Sequence, residues 1–264
     1  MGLLRPASWE KGFHSVFEPP QGELRLLSFG LLSLDPGEIW QQTFVEQEAA
    51  LIVLGGKCEI WTQAQHWPEV GAREGVFGGQ AYALYLPAQS DLRLKAHTDF
   101  EAALFTAPAD QPGEAVLVTP EQVNIRTVGA GSWRRSVQDI IDLRVPAQRL
   151  VIGETYNQPG GWSSYPPHKH DQEIPGTEVR MEEIYHFRVN PPQGFGFQRL
   201  YSPEVSLDEA YVIKDGDTVA IPRGYHAVAA APGYTVYYLW GLAGDRRELL
   251  PHDEPAHAWL HGTQ

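Results

Sequence analysis

Apolar residues fall in short runs along this chain, and turn-forming residues close nearly every run. Glu48-Ala-Ala-Leu-Ile-Val-Leu and Gly79-Gln-Ala-Tyr-Ala-Leu-Tyr-Leu-Pro87 are typical. Such runs read as β-strands when Gly, Pro or Asp clusters bound them. The pattern predicts strands at 23–34, 48–54, 57–61, 81–86, 100–106, 149–156, 183–190, 194–201, 210–213, 218–221 and 234–240. The punctuation includes Asp35-Pro-Gly, Gly55-Gly, Gln111-Pro-Gly, Gln158-Pro-Gly-Gly, Asn190-Pro-Pro-Gln-Gly, Asp215-Gly-Asp and Pro232-Gly. Only Gln138 to Leu143 carries a helical signal. Many short strands at this spacing predict an all-β protein built as a sandwich or barrel.

The order of elements repeats faintly. An acid precedes an apolar run at Glu48, a strand ends in Pro87, and the strand Phe100 to Thr106 follows. In the second half the same order is Glu183-Ile-Tyr-His-Phe, Gly216-Asp-Thr-Val-Ala-Ile-Pro222 and Tyr234 to Trp240. This predicts two similar jelly-roll-like β-barrels, residues 1–118 and 119–264, with the connection lying between about Ala109 and Ala147.

Composition narrows the function. Gly and Pro together make 47 of 264 residues, which disfavours a helix bundle. The formal charge of −13 carries no local basic stripe, so nucleic acid and anionic membranes are not expected as partners. A small anionic substrate stays open, because one local Arg outweighs a distant, screened net charge. The single Cys58 can form no internal disulfide and reads as a small buried hydrophobe. Met1 to Phe13 lacks the apolar stretch of a secretion signal, and no run approaches the length of a membrane span. These features lead us to expect a cytoplasmic protein. Exposed strand edges make a homo-oligomer a reasonable expectation.

The chemistry concentrates in the second half. Gly161-Trp-Ser-Ser-Tyr-Pro-Pro-His168-Lys-His170-Asp leads to Met181-Glu182-Glu183-Ile-Tyr-His-Phe, and then to Gly216-Asp-Thr-Val-Ala-Ile-Pro222-Arg-Gly224-Tyr-His226. Residues i and i+2 of a strand share a face, so His168 and His170 can point into one barrel interior. A carboxylate from the next strand and a His from a distant one would complete a four-ligand metal set. Glu182 and Glu183 lie on opposite faces of their strand, and period alone does not choose between them. The acid directly before the apolar run, Glu183, is the position a strand start favours.

These motifs resemble those of the cupin superfamily, with three departures. Twelve residues separate His170 from Glu183, one residue separates Gly224 from His226, and no Asn follows at the expected place. The departures are similar to those of the 5-deoxy-glucuronate isomerase family of bacterial inositol catabolism. The related 4-deoxy-L-threo-5-hexosulose-uronate ketol-isomerases of pectin breakdown share the plan. The resemblance is specific from about Arg149 to Gly244 and implies a two-barrel protein whose first barrel lacks the metal motif. It implies one divalent metal ion held by His168, His170, Glu183 and His226; zinc, manganese, iron and nickel all suit the set, with zinc or manganese favoured.

The reaction implied is the aldose–ketose isomerisation of 5-deoxy-D-glucuronate to 5-dehydro-2-deoxy-D-gluconate. The metal would chelate the C1 carbonyl and C2 hydroxyl oxygens and polarise the carbonyl. For the base, metal-bound water and Glu182 are the candidates; His186 falls on the face opposite Glu183. Arg180 and Arg223 lie near the motifs in sequence and are candidates for the substrate carboxylate, and Tyr185 should share the pocket of Glu183. His66 and His97 read as surface residues. The tail from Pro251 to His261 reads as a loose polar terminus despite its three histidines. Other readings are an isomerase of a pectin-derived deoxy-uronate, a cupin dioxygenase using the same ligands, and a non-catalytic sugar-binding cupin.

Overall fold

The computed structural model describes residues 2–6 and 10–263. The expected span Met1 to Phe13 therefore falls partly outside the described residues. Four antiparallel sheets account for the chain. Two belong to the first half. A six-stranded sheet runs in the spatial order Val116–Val118, Ala83–Leu86, Gln47–Gly55, Phe100–Pro108, Ser28–Leu34, Gly12–Phe17. A four-stranded sheet of Ile39–Phe44, Ser90–Ala96, Cys58–Trp61 and His66–Val70 covers one of its faces.

The second half repeats the plan. Its larger sheet is ordered Leu4–Arg5, Thr218–Ile221, Met181–Asn190, Thr235–Gly244, Leu150–Asn157, Arg135–Ile141, Asn124–Val128. Its smaller one is Leu207–Ile213, Gly196–Ser202, Tyr225–Ala230, Trp162–Lys169, His252–Asp253. Leu4–Arg5 comes from the other end of the chain and pairs with Val219 and Thr218. A division into two units between Val118 and Thr119 is our proposal; it makes Leu4–Arg5 a strand that the first unit lends to the second.

Three apolar layers hold the sheets together. Leu51, Leu84, Leu94 and Phe100 fill the first half between its two sheets. Tyr185, Phe187, Leu200, Val228 and Tyr238 fill the second. The third layer, with Phe29, Ile52, Phe105, Ile152, Ile184 and Leu239, lies between the two large sheets. Strands of the large sheets are thus buried on both faces, which is why Gln47–Gly55 reads as a continuous apolar run. Leu51 and Val53 enter the first-half core, while Ala50 and Ile52 enter the central layer. The central layer is tight: a Cβ on Gly241 would come within 2.4 Å of the Phe105 ring.

Polar groups lock the same layer. The Glu182 carboxylate accepts hydrogen bonds from the backbone amides of Arg25 at 2.8 Å, Leu26 at 2.8 Å and Leu27 at 3.2 Å, at the entry to Ser28–Leu34. Glu48 does the reciprocal: it accepts from the amides of Gln148, Arg149 and Leu150 at 2.6, 2.7 and 2.8 Å, at the entry to Leu150–Asn157. Each acid is the second residue of its strand, and each faces an alanine on the neighbouring strand, Ala107 for Glu48 and Ala243 for Glu182. A buried ion pair crosses the layer as well. Arg73 grips both oxygens of Glu154 at 2.6 and 3.1 Å, and Tyr237 donates to the same carboxylate at 2.7 Å.

Some expectations were incomplete. Gln138 to Leu143 is no helix, since residues up to Ile141 belong to the strand Arg135–Ile141. An irregularity between Asp139 and Ile141 turns both Ile140 and Ile141 into the core, and this conceals the period of two. Residues 23–27 precede the strand Ser28–Leu34 rather than extend it. Cys58 is fully buried. The tail is docked: His252 and Asp253 pair with Lys169 and His168, and Tyr201 donates a hydrogen bond to Glu254.

Arg73→Met leaves Glu154 as a buried, uncompensated charge, and Glu48→Ala orphans three backbone amides. Each is expected to lower stability by about 3–5 kcal/mol in urea unfolding. Lys57→Met, at the exposed Lys57–Glu69 pair, should leave the urea midpoint unchanged.

Candidate metal centre

The strand Met181–Asn190 separates two neighbouring acids. Alternation sends Glu182, Ile184 and His186 toward the central layer, and Glu183, Tyr185 and Phe187 into the second-half barrel. Inside that barrel the Glu183 Oε2 atom lies 3.2 Å from His170 Nε2 and 3.3 Å from His226 Nε2. The ligating atoms of these three residues all lie within 4.8 Å of one another, and all three side chains are buried.

Neighbouring carbonyls set the histidine tautomers. His170 Nδ1 donates to the Met181 carbonyl at 2.8 Å, and His226 Nδ1 to the Gly224 carbonyl at 3.2 Å. In the neutral rings both Nε2 lone pairs therefore face the Glu183 carboxylate. His226 Nε2 is buried without a hydrogen-bond partner. Three acceptors converging on one point repel one another unless a proton or a cation sits between them. The donor set of imidazole nitrogen and carboxylate oxygen fits a divalent transition metal.

His168 sits beside this trio. It pairs directly across the strands with His226, their ring centres 4.6 Å apart, while 6.3 Å separates its ring centre from that of His170. It lines the same cavity as His170 and Glu183, without being one of the three whose ligating atoms converge.

Burial dominates the titration of these groups. It pushes His168 down to about 4, with the neighbouring His170 charge adding to the effect. It drives His226 well below the usual imidazole range, helped by His168 and His170. It raises Glu183, against the opposing pull of His170. For His170 burial also works against the charge, but the hydrogen bond and charge of Glu183 outweigh it, and the ring is raised. Without metal, His170 and Glu183 therefore share the proton that a cation would displace.

The loop between His170 and the strand Met181–Asn190 is pinned. The buried carboxylate of Glu178 accepts from the amides of Asp171 at 2.6 Å and Gln172 at 2.8 Å. Lys169 pairs with Asp171 at 2.6 Å, and Asp171 accepts from the Gly224 amide at 2.8 Å. This network ties the His170 strand to the turn before His226. Gly224 has φ +93°, and a Cβ there would lie 2.8 Å from the Tyr201 carbonyl oxygen, so the turn requires glycine.

A cavity of about 350 Å³ opens over the cluster. Thr155, Ser164, Tyr185, Tyr238, Trp240 and Arg135 are among its walls, and Leu249 and Pro251 of the docked tail close one side. Ser164 shares a hydrogen bond with Tyr185 at 2.9 Å, and Tyr238 donates to Ser163 at 2.8 Å. Ser164 adopts a left-handed φ of +48° at an irregularity in its strand, a conformation that costs about 1–3 kcal/mol in a non-glycine residue.

Of the residues anticipated from sequence, Tyr185 lines this cavity; Glu182, Arg180 and Arg223 do not. Glu182 is committed to the amides of Arg25 to Leu27 on the other side of the sheet. Arg223 pairs with Glu23 at 2.5 Å. Arg180 is exposed. His186 contacts Thr218 at 3.0 Å and the Phe29 ring in the central layer. His66 and His97 are exposed. Arg135 was missed. Nothing near it in the sequence resembles a motif.

The family model for KduI/IolB matches residues 3–260. The chain belongs to the KduI/IolB family. Relatives of the family share its length. The chain is 39% identical over 235 residues to a 5-deoxy-glucuronate isomerase of Geobacillus kaustophilus, covering 89% of this chain and 85% of the relative. Over 264 residues it is 33% identical to the enzyme of that name from Bacillus subtilis strain 168, covering 98% and 97%. An IolB-like protein from Salmonella typhimurium LT2 superposes with a TM-score of 0.95 at 33% identity, over 99% of this chain and all of that one. An oxalate decarboxylase of Lactobacillus farciminis superposes at 0.68 with 14% identity, over 94% and 88% of the two chains. That likeness extends to the fold, and the expected cupin architecture is present.

Glu183→Ala is expected to lose bound metal, whereas His186→Ala keeps it; metal analysis of the purified variants by plasma mass spectrometry reads the difference.

Stability should also depend on acid in a defined window. In the metal-free protein burial pushes His168 down to about 4 and His186 down to about 3, from an ordinary value near 6.5 that both regain on unfolding. Burial causes the depression at His186, with the Arg188 charge contributing. Their effect is absent above pH 6.5, and stability falls as pH drops below it, by up to about 1.4 kcal/mol per pH unit for each histidine. Urea midpoints between pH 7 and pH 4 should show this slope, and His186→Leu should reduce it.

Proposed function

We propose that the protein is an aldose–ketose isomerase that converts 5-deoxy-D-glucuronate to 5-dehydro-2-deoxy-D-gluconate. Its setting would be the catabolism of inositol in the cytoplasm. Among the described residues, no helix is long and apolar enough to cross a membrane. The observation that carries the proposal is the convergence of two imidazole lone pairs and a carboxylate beneath a cavity of about 350 Å³, a size suited to a six-carbon sugar acid. The names of the relatives point to the same substrate.

We assign one divalent ion to His168, His170, Glu183 and His226, with zinc or manganese favoured over iron and nickel. When bound, it would act as a Lewis acid toward the substrate's carbonyl and adjacent hydroxyl oxygens. The protein's own groups do the remaining work. The His170 and His226 Nδ1 protons stay on backbone carbonyls, which keeps both Nε2 atoms available. Burial, with Glu183 and Tyr238 nearby, holds the Tyr185 hydroxyl protonated, and burial does the same for Tyr238. Neither hydroxyl is therefore a base; Tyr185, whose bond to Ser164 runs in either direction, can donate to a substrate oxygen, whereas Tyr238 donates to Ser163. Glu182 is not the base, because three amides on the far side of the sheet hold its carboxylate. Trp240 and Leu242 shield one wall from water.

Proton NMR in heavy water tests the proposal. 5-Deoxy-D-glucuronate should convert to the keto acid with metal-loaded protein and stay unchanged with a chelator. Deuterium at the new C1 hydroxymethyl group is expected for proton transfer through an enediolate. Turnover of a pectin-derived deoxy-uronate alone, or oxygen uptake with substrate, would overturn this reading.

A further inference from the structure

We propose that Arg135 binds the carboxylate of the substrate and sets the enzyme's preference for sugar acids over neutral sugars. This rests on the isomerase reading above and deepens it. Two guanidinium groups line the cavity over the metal cluster, those of Arg126 and Arg135. They are in different electrostatic states. Arg126 is already neutralised by a two-pronged pair with Asp139, at 2.7 and 2.8 Å. Among the described residues, no carboxylate lies within ion-pair distance of Arg135. Its hydrogen bonds to the backbone carbonyls of Trp133 at 3.1 Å and Tyr165 at 3.2 Å both leave from one nitrogen, Nη1.

Those two carbonyls fix the plane of the guanidinium and leave Nε and Nη2 for a ligand. The group is half-buried, and burial acts against its charge. Arginine nevertheless stays protonated, so the site carries a permanent, partly desolvated positive charge without an anion. A planar fork of this kind matches a carboxylate in two-pronged fashion.

Its position suits the chemistry. Arg135 shares the cavity wall with the hydroxyls of Tyr185 and Tyr238 and with His168, where its charge is felt. A sugar acid bridging the two ends would place its carboxylate at Arg135 and its carbonyl end over the histidines. The opposed charges of substrate and anchor would fix which end meets the metal. Arg180 and Arg223, closer to the motifs in sequence, lie outside the cavity.

The test compares Arg135→Met and Arg135→Lys with the unaltered, metal-loaded protein. Binding of D-glucuronate and of its carboxamide is measured by calorimetry, and KM and kcat for 5-deoxy-D-glucuronate by NMR. Losing a hydrogen-bonded charge pair predicts a 10- to 150-fold weaker affinity for the acid in Arg135→Met, with affinity for the carboxamide unchanged. Arg135→Lys keeps the charge without the fork and should recover part of the loss. Metal content should be unchanged in both, and Arg223→Met should behave as the unaltered protein does.

Turnover that persists with an unchanged KM in Arg135→Met overturns the inference and leaves the isomerase reading intact. Absence of turnover in the unaltered protein, with the acid still preferred through Arg135, removes the isomerase reading alone. Equal affinity of the unaltered protein for acid and carboxamide overturns the inference. If Arg135→Met does not fold, Arg135→Lys decides, and affinity for the acid equal to that of the unaltered protein counts against the two-pronged contact.

Discussion

The structure depends on one strand being buried on both of its faces. Met181–Asn190 runs between the barrel core and the central layer, and alternation commits each successive side chain to one or the other. Two adjacent carboxylates therefore serve different ends a few ångströms apart. Glu182 clasps the backbone entering the first half, and Glu183 faces the histidines. A slip of one residue in register would exchange them, placing Glu183 in the apolar layer and leaving three amides without an acceptor. The register is held on both sides, by Ala243 and Leu242 on one neighbour and by Ile221 on the other.

The first half shows which of these functions can be dispensed with. Glu48 stands where Glu182 does and makes the same three-amide clasp in the opposite direction. The next residue is Ala49, and its side chain enters the first-half core where Glu183 enters the second. Phe44 faces Ser90 across the small sheet in the manner of His168 and His226. That half retains an open cavity of about 550 Å³ walled by Phe13, Trp40, Phe44 and Thr106, and among the described residues no group like His170, Glu183 and His226 converges there. The clasp is thus common to both halves, while the converging His170, Glu183 and His226 belong to one. The first half acts on the second through the layer they share, where the reciprocal acids and the Arg73–Glu154 pair cross from one to the other.

This arrangement explains what could be read from the sequence. Strands buried on both faces give unbroken apolar runs, so Gln47–Gly55, Phe100–Pro108 and Thr235–Gly244 were legible at once. Outer strands such as Ile39–Phe44 and Asn124–Val128 are mostly exposed and carry Gln, Thr, Asn and Arg, so composition concealed them. The histidine motifs were legible because their spacing is a chemical constraint: His168 and His170 share a face, and the glycine turn at Gly224 delivers His226 to the strand beside them. Arg135 carried no such mark. It reaches the cavity because its strand pairs between Asn124–Val128 and Leu150–Asn157 near one end of the large sheet, strands whose composition gives no sign of a site.

The same reasoning separates the two kinds of cation around the site. Lys169 lies between the two histidines of the motif, yet alternation turns it away from them, and Asp171 and Glu178 take up its charge inside the loop network. Its role is to hold the ligand strand against the turn before His226. Arg135 sits among hydroxyls and carbonyl oxygens, where among the described residues no carboxylate neutralises it. A protein tolerates a partly buried cation without a counter-ion where stability is traded for binding, because the free energy withheld in the empty state is released when an anion arrives. Charge that is already paired builds the scaffold, and charge left unpaired beside an open cavity marks where the ligand goes.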